Sequence, residues 1–122
     1  MRQVGSLDRL VTRIRDELRR ARDDGGPAAD DAETALADGP VRQRLRSSIR
    51  ALAAHRGPNS SICPSDAARA VGGDDWRDLM GEARDLAREL ARSGDVEITQ
   101  RGDVLDPDGA WRGPIRIRIV AR

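Results

Sequence analysis

The side chains with the most legible chemistry are arginines. Arg84, Arg88 and Arg92 recur at four-residue spacing and fall at about 0°, 40° and 80° on a helical projection. Such a ridge suits phosphate oxygens, and Arg84 or Arg88 suits the acceptor edge of guanine. Arg116 and Arg118 alternate with isoleucines, so they share one face of a strand; with Arg112 they form a second basic group. Acids temper the first group. Asp78, Glu82, Asp85 and Glu89 fall at about 100° to 160°, where they repel a duplex and suit i,i+3 pairing such as Asp85–Arg88 and Glu89–Arg92. Cys63 precedes Pro64 at a helix start, a position that activates thiols, and His55, the only histidine, lies eight residues earlier. No third group orients that pair, and a small half-buried Cys is the simpler reading. Gly72-Gly73 lacks the lysine and the spacing of a phosphate loop. One Cys and one His cannot build a Cys/His zinc site. No catalytic residue, metal or cofactor is expected.

The elements that position these residues follow from patterning. Leu7, Leu10, Val11, Ile14, Leu18 and Ala21 form one helical stripe over residues 6–22, with Ser6 as N-cap. Residues 23–40 are acidic and rich in Ala, Gly and Asp. They read as a linker with a helical turn near Asp31–Leu36. Val41, Leu45, Ile49 and Leu52 mark a second helix over 41–56, which holds five Arg and no acid. Ser61-Ile62-Cys63 suits a short paired strand, and Pro64 opens a short helix ended by Gly72-Gly73. Trp76, Leu79, Met80, Ala83, Leu86, Ala87, Leu90 and Ala91 keep the helical period. Gly81 marks a weak point in that helix, and Gly94 is its left-handed stop. Val96 and Ile98 start a strand, Ile115, Ile117 and Ile119 another, and Asp106-Pro107-Asp108-Gly109 between them suits a type I turn. The order helix, short strand, helix, helix, strand, loop, strand is that of a winged helix. The fold class is therefore α+β, with an N-terminal amphipathic helix and acidic linker at 1–40 and a winged-helix domain at 41–122.

The chain has 122 residues, 35% of them charged, with 22 basic against 21 acidic. All of the basic residues are Arg, and Phe and Tyr are absent. That usage is first a mark of GC-rich coding, so the placement of the arginines says more than their number. Residues 1–40 hold 7 Arg and 9 acids, residues 41–122 15 Arg and 12 acids. No apolar run is long enough to span a membrane and no leader pattern opens the chain, so a cytoplasmic protein is expected.

The segment from Leu45 to about Ile119 resembles a bacterial domain-of-unknown-function family, number thirty-two fifty-three. The resemblance lies in Ile49-Arg50-Ala51-Leu52-Ala53, Arg56-Gly57, Ile62-Cys63-Pro64-Ser65, Ala68-Arg69, Trp76-Arg77 and Leu79-Met80. It continues through Arg84, Ile98-Thr99-Gln100, Gly102, Asp106-Pro107 and Arg112-Gly113-Pro114-Ile115-Arg116. It implies a winged-helix-like fold and no particular activity. The family often has Pro where Gly81 stands, which points to a helix break just after Met80.

Two uses of such a scaffold remain open. The first is binding of double-stranded DNA, in a transcription-associated role, through Arg84, Arg88, Arg92, Arg112, Arg116 and Arg118. The second is a protein–protein interaction module. Its contacts would be Leu7, Leu10, Ile14 and Leu18, pairing residues 6–22 with a second copy, and Trp111, which covers a core edge or marks a contact surface. The acidic 23–38 segment is also placed to fold back over the basic helix 41–56 and screen it.

Overall fold

The computed structural model describes residues 5–120, with side chains from Arg9 onward. Helix α1 spans Gly5–Asp23. It turns Ile14, Leu18 and Ala21 into the core, where Leu18 is completely buried. The segment expected as a linker holds a helix, α2 (Ala29–Leu36). Ala28, Ala32 and Ala35 are buried at i, i+4 and i+7, and these small side chains let α2 lie close against α1 and α3. The expected helical turn near Asp31–Leu36 is thus part of a full helix, whose extent the sequence hid because its apolar face is made of alanine, which carries little hydrophobic contrast. Helix α3 (Val41–Arg56) buries Leu45, Ile49 and Leu52 as its stripe requires, while Val41 at its start is exposed.

Helix α4 (Pro64–Gly72) begins with Pro64 in its first turn. The Asp66 carboxylate accepts a hydrogen bond from the Cys63 backbone N–H at 3.0 Å, satisfying one of the donors that a helix start leaves bare. At its end Gly72 lies close to Leu79: a Cβ there would lie 2.9 Å from Leu79 Cδ1, so that side chain would have to shift. The long helix expected from Trp76 is divided. Gly73–Leu79 forms a 3-10 segment and α5 runs Met80–Arg92, so the break falls one residue ahead of Met80. Trp76 is consequently half-buried rather than a core residue. Ser93 Oγ donates to the Glu89 and Leu90 carbonyls at 3.2 Å each, and Gly94 takes the left-handed conformation at φ +82°, so α5 ends where its sequence says.

The sheet consists of β1 (Val96–Gln100), β2 (Asp103–Val104) and β3 (Arg116–Ile119). It is antiparallel, in the order β2-β1-β3. Ile98 pairs with Ile117 and Val96 with Ile119, which puts Val96, Ile98 and Ile117 on the buried face. Ile62 exchanges two backbone hydrogen bonds of 2.8 Å with Ile117 and fills the place of a further strand beside β3. The wing is more structured than a single long loop. Arg101 and Gly102, at φ +54° and +89°, make the two-residue turn that joins β1 to β2, and the chain then crosses the α5 face before returning as β3. Two positive φ values are the signature of a hairpin turn whose twist matches the strands. The Asp106 carbonyl accepts from Gly109 N–H at 3.0 Å, closing the expected turn.

One core joins these parts: Ile14, Leu18, Ala32 and Ala35 belong to the same buried cluster as Leu45, Ile49, Leu86, Ile98 and Ile117. No helix among the described residues is long and apolar enough to cross a membrane.

Candidate nucleic-acid interface

The arginine ridge of α5 forms as its spacing predicts, and its three members all end on the wing. Arg88 Nη1 donates to the Pro107 and Gly109 carbonyls at 2.8 and 2.6 Å. Its guanidinium lies 3.8 Å from the centre of the Trp111 ring, a cation–π distance. Arg84 donates to the Gly113 carbonyl at 3.2 Å, and Arg92 Nε meets Asp108 Oδ1 at 2.6 Å. Trp111 Nε1–H donates to the Asp106 carbonyl at 2.9 Å, and the ring packs against the core. Trp111 thus covers a core edge and pins the wing. The acidic side of α5 is also used, because Glu82 and Glu89 both pair with Arg42. A ridge that clamps the wing is not free to enter a groove, and the exposed remainder of this helix includes Asp85.

The other three arginines differ among themselves. Arg118 pairs with Glu97 at 2.6 Å on the neighbouring strand. Arg116 meets only uncharged groups: Ser61 Oγ at 2.8 Å, the Ser61 carbonyl at 2.9 Å and Cys63 Sγ at 2.8 Å. Arg112 is exposed. Its carbonyl and that of Pro114 accept from Gln100 Nε2 at 2.7 and 3.0 Å, which fixes the backbone and leaves the guanidinium to solvent. Arg101 stands across the same shallow recess, lined also by Gln100, Gly113 and Pro114. Sequence reading missed Arg101. The available signal was Arg101-Gly102 directly after a strand, the composition of a tight turn.

In helix α3, the run of five Arg without an acid, three are paired with carboxylates in space, while Arg46 is exposed. Arg50 bridges Asp31 and Asp95 at 3.0 and 2.8 Å. Arg56 makes a two-pronged pair with Glu17, both bonds 2.9 Å, and stands 3.6 Å from Asp66. Arg42 takes Glu82 and Glu89, and Arg44 donates to the Ala35 carbonyl at 3.1 Å. The acidic N-terminal segment does meet this helix, through Asp31 and through Asp24, which lies 3.1 Å from His55. Burial pushes the Glu17 carboxyl up, but the hydrogen bonds and charge of Arg56, with His55 and Arg20, outweigh it and hold Glu17 below the ordinary carboxylate range.

The proposed partner face of α1 needs correction. Ile14 and Leu18 are 6% and 0% exposed within the chain, so they serve its own core and present nothing to a second copy. Leu10 is exposed, and the Leu7 side chain lies outside the described residues. His55 faces Asp24 and Glu17 while Cys63 faces Arg116, so the structure does not bring them together as a nucleophile and base.

Helix α3, the Ile62 bridge, α4, α5, β1, the wing and β3 follow one another in winged-helix order, which defines the class as a winged-helix-like α+β domain preceded by two helices. The chain belongs to a family described as proteins of unknown function (DUF3253), whose sequence model matches residues 42–120. No curated protein matches the chain.

Proposed function

We propose that this chain binds double-stranded DNA through backbone phosphates, using the base of its wing and the adjoining end of β3 in place of the α5 ridge. Arg101, Arg112 and Arg116 would make the contacts. The supporting observation is that, among the described residues, these wing-side guanidiniums face no carboxylate, whereas Arg42, Arg50, Arg56, Arg92 and Arg118 each do. Arginines not already paired can release counterions on meeting phosphate, and that release drives sequence-independent affinity. Contacts of this kind position a protein on a duplex and read little sequence.

The interaction-module reading draws on the outward acids of α5, which discourage docking by that helix. Fluorescence anisotropy of a random duplex at about 50 mM salt separates the two, because phosphate contacts are strongest at low ionic strength. The DNA reading expects saturable binding that weakens in Arg101→Ala/Arg112→Ala. Absence of binding by the wild type under those conditions rejects it and leaves the protein contact.

A further inference from the structure

A second recess lies between α1, α4 and the start of β3, with a volume of about 270 Å³. Four guanidiniums line it, those of Arg13, Arg56, Arg69 and Arg116, against two carboxylates, Glu17 and Asp66. Both carboxylates lean on Arg56. Among the described residues the other three arginines touch no acid. Arg13 is exposed and makes no side-chain hydrogen bond. Arg116 reaches only Ser61 and Cys63. Arg69 donates to Ser65 Oγ at 3.3 Å and stacks 4.1 Å from the Trp76 ring, but its Nε is buried without a partner. The start of α4 opens on the same recess, and its positive dipole end adds to the field. Leu10 and Ile14 supply an apolar wall.

We propose that this recess binds a small phosphomonoester carrying a compact apolar body. Two charges of excess, four positive against two negative, match a phosphomonoester, which carries about −1.5 to −2 near neutral pH. Three guanidiniums without acid partners suit its three terminal oxygens, since arginine donates in paired, planar fashion to phosphate. The Leu10 wall gives the body of the ligand its place, and the small volume excludes a dinucleotide. The site is separate from the wing base and shares only Arg116 with the proposed DNA contact. The thiol of Cys63 lies on the lining and is the only cysteine of the chain, so it reports on occupancy.

The experiment titrates phenyl phosphate into the full chain by calorimetry and follows alkylation of Cys63 by iodoacetamide in parallel. The expected result is one-to-one binding that slows alkylation saturably. Arg13→Ala should weaken binding about tenfold, the loss of one charge-assisted contact. Arg69→Ala should do likewise, and Arg112→Ala should bind as wild type. Among the described residues Arg13 makes no side-chain hydrogen bond or ion pair, so an unchanged melting temperature in its variant separates a lost site from a lost structure. Absence of binding, or equal binding by wild type and Arg13→Ala, overturns the proposal. A short duplex that protects Cys63 where saturating phenyl phosphate does not also overturns it, and in that case the recess belongs to the DNA contact.

Discussion

Helix α3 and the wing base carry the same residue type to opposite ends. In α3 the guanidiniums of Arg42, Arg50 and Arg56 close on carboxylates from α1, α2, α5 and the α5–β1 turn. At the wing base Arg101 and Arg112 meet no carboxylate, and Arg116 meets only hydroxyl, carbonyl and thiol groups. The α3 run has no acid within its own 41–56 stretch, yet Arg42, Arg50 and Arg56 are paired with acids from elsewhere, while Arg44 meets only a carbonyl and Arg46 is exposed. The wing has Asp103, Asp106 and Asp108 close in sequence, yet its base stays uncompensated, because Asp108 is drawn to Arg92 and the Asp106 side chain accepts from the Asp108 backbone N–H. Which arginine remains available is decided by tertiary neighbours, and neighbours in sequence are a poor guide to it.

The harshest way to break the α3 side of this contrast is to remove what brings its acids there. Leu18→Ala should cost about 2–5 kcal/mol, the range for truncating a fully buried leucine. It should do so in a single urea transition, because α1 shares the core; a partial transition that spares the remainder would show α1 to be separable. On the wing side, Arg88→Ala should cost about 1.5–3 kcal/mol, since hydrogen bonds to a charged group are lost at Pro107 and Gly109. It should also raise amide exchange over residues 105–113 more than elsewhere.

Glu17→Gln sharpens the comparison through pH. Because the folded Glu17 carboxyl sits below its ordinary value, its contribution is complete above the unfolded carboxylate range. That contribution disappears as pH falls through the lower folded value. The variant should be less stable by about 1–3 kcal/mol near neutrality, and its stability should fall less steeply on acidification than that of wild type. Parallel acid limbs would contradict the assignment. The smallest expected effect is that of Arg112→Ala, within about 0.5 kcal/mol of wild type by the same urea measurement, because no fold contact depends on its side chain.

Most of the fold was legible. Leu45, Ile49 and Leu52, the Leu86–Leu90 face and the alternating isoleucines specify their elements through periodicity alone, and Gly94 ends α5 as its type requires. Helix α2 was legible only as a turn near Asp31–Leu36, because a face of alanines looks like linker composition until α1 and α3 are seen to close on it. A break near Met80 was expected from Gly81 and the family resemblance, but the 3-10 form of the segment before it was not, because Trp76 and Leu79 fit a continuous helical period. The candidate site was half legible. The α5 ridge was correct in geometry, but its use was hidden, because the wing carbonyls that absorb Arg84 and Arg88 are backbone groups with no residue signature. Arg112 and Arg116 stood among the expected contacts, while Arg101, Arg13 and Arg69 required the folded arrangement.

The most direct test is the slope of log binding constant against log salt concentration for a random duplex, measured on wild type, Arg101→Ala/Arg112→Ala and Arg50→Gln. Each phosphate contact contributes about 0.9 to that slope. The wing variant should therefore be shallower by about 1.8, with Arg50→Gln indistinguishable from wild type. A slope that drops in Arg50→Gln, or that stays unchanged in the wing variant, would contradict the division between the acid-paired arginines of α3 and an available wing base.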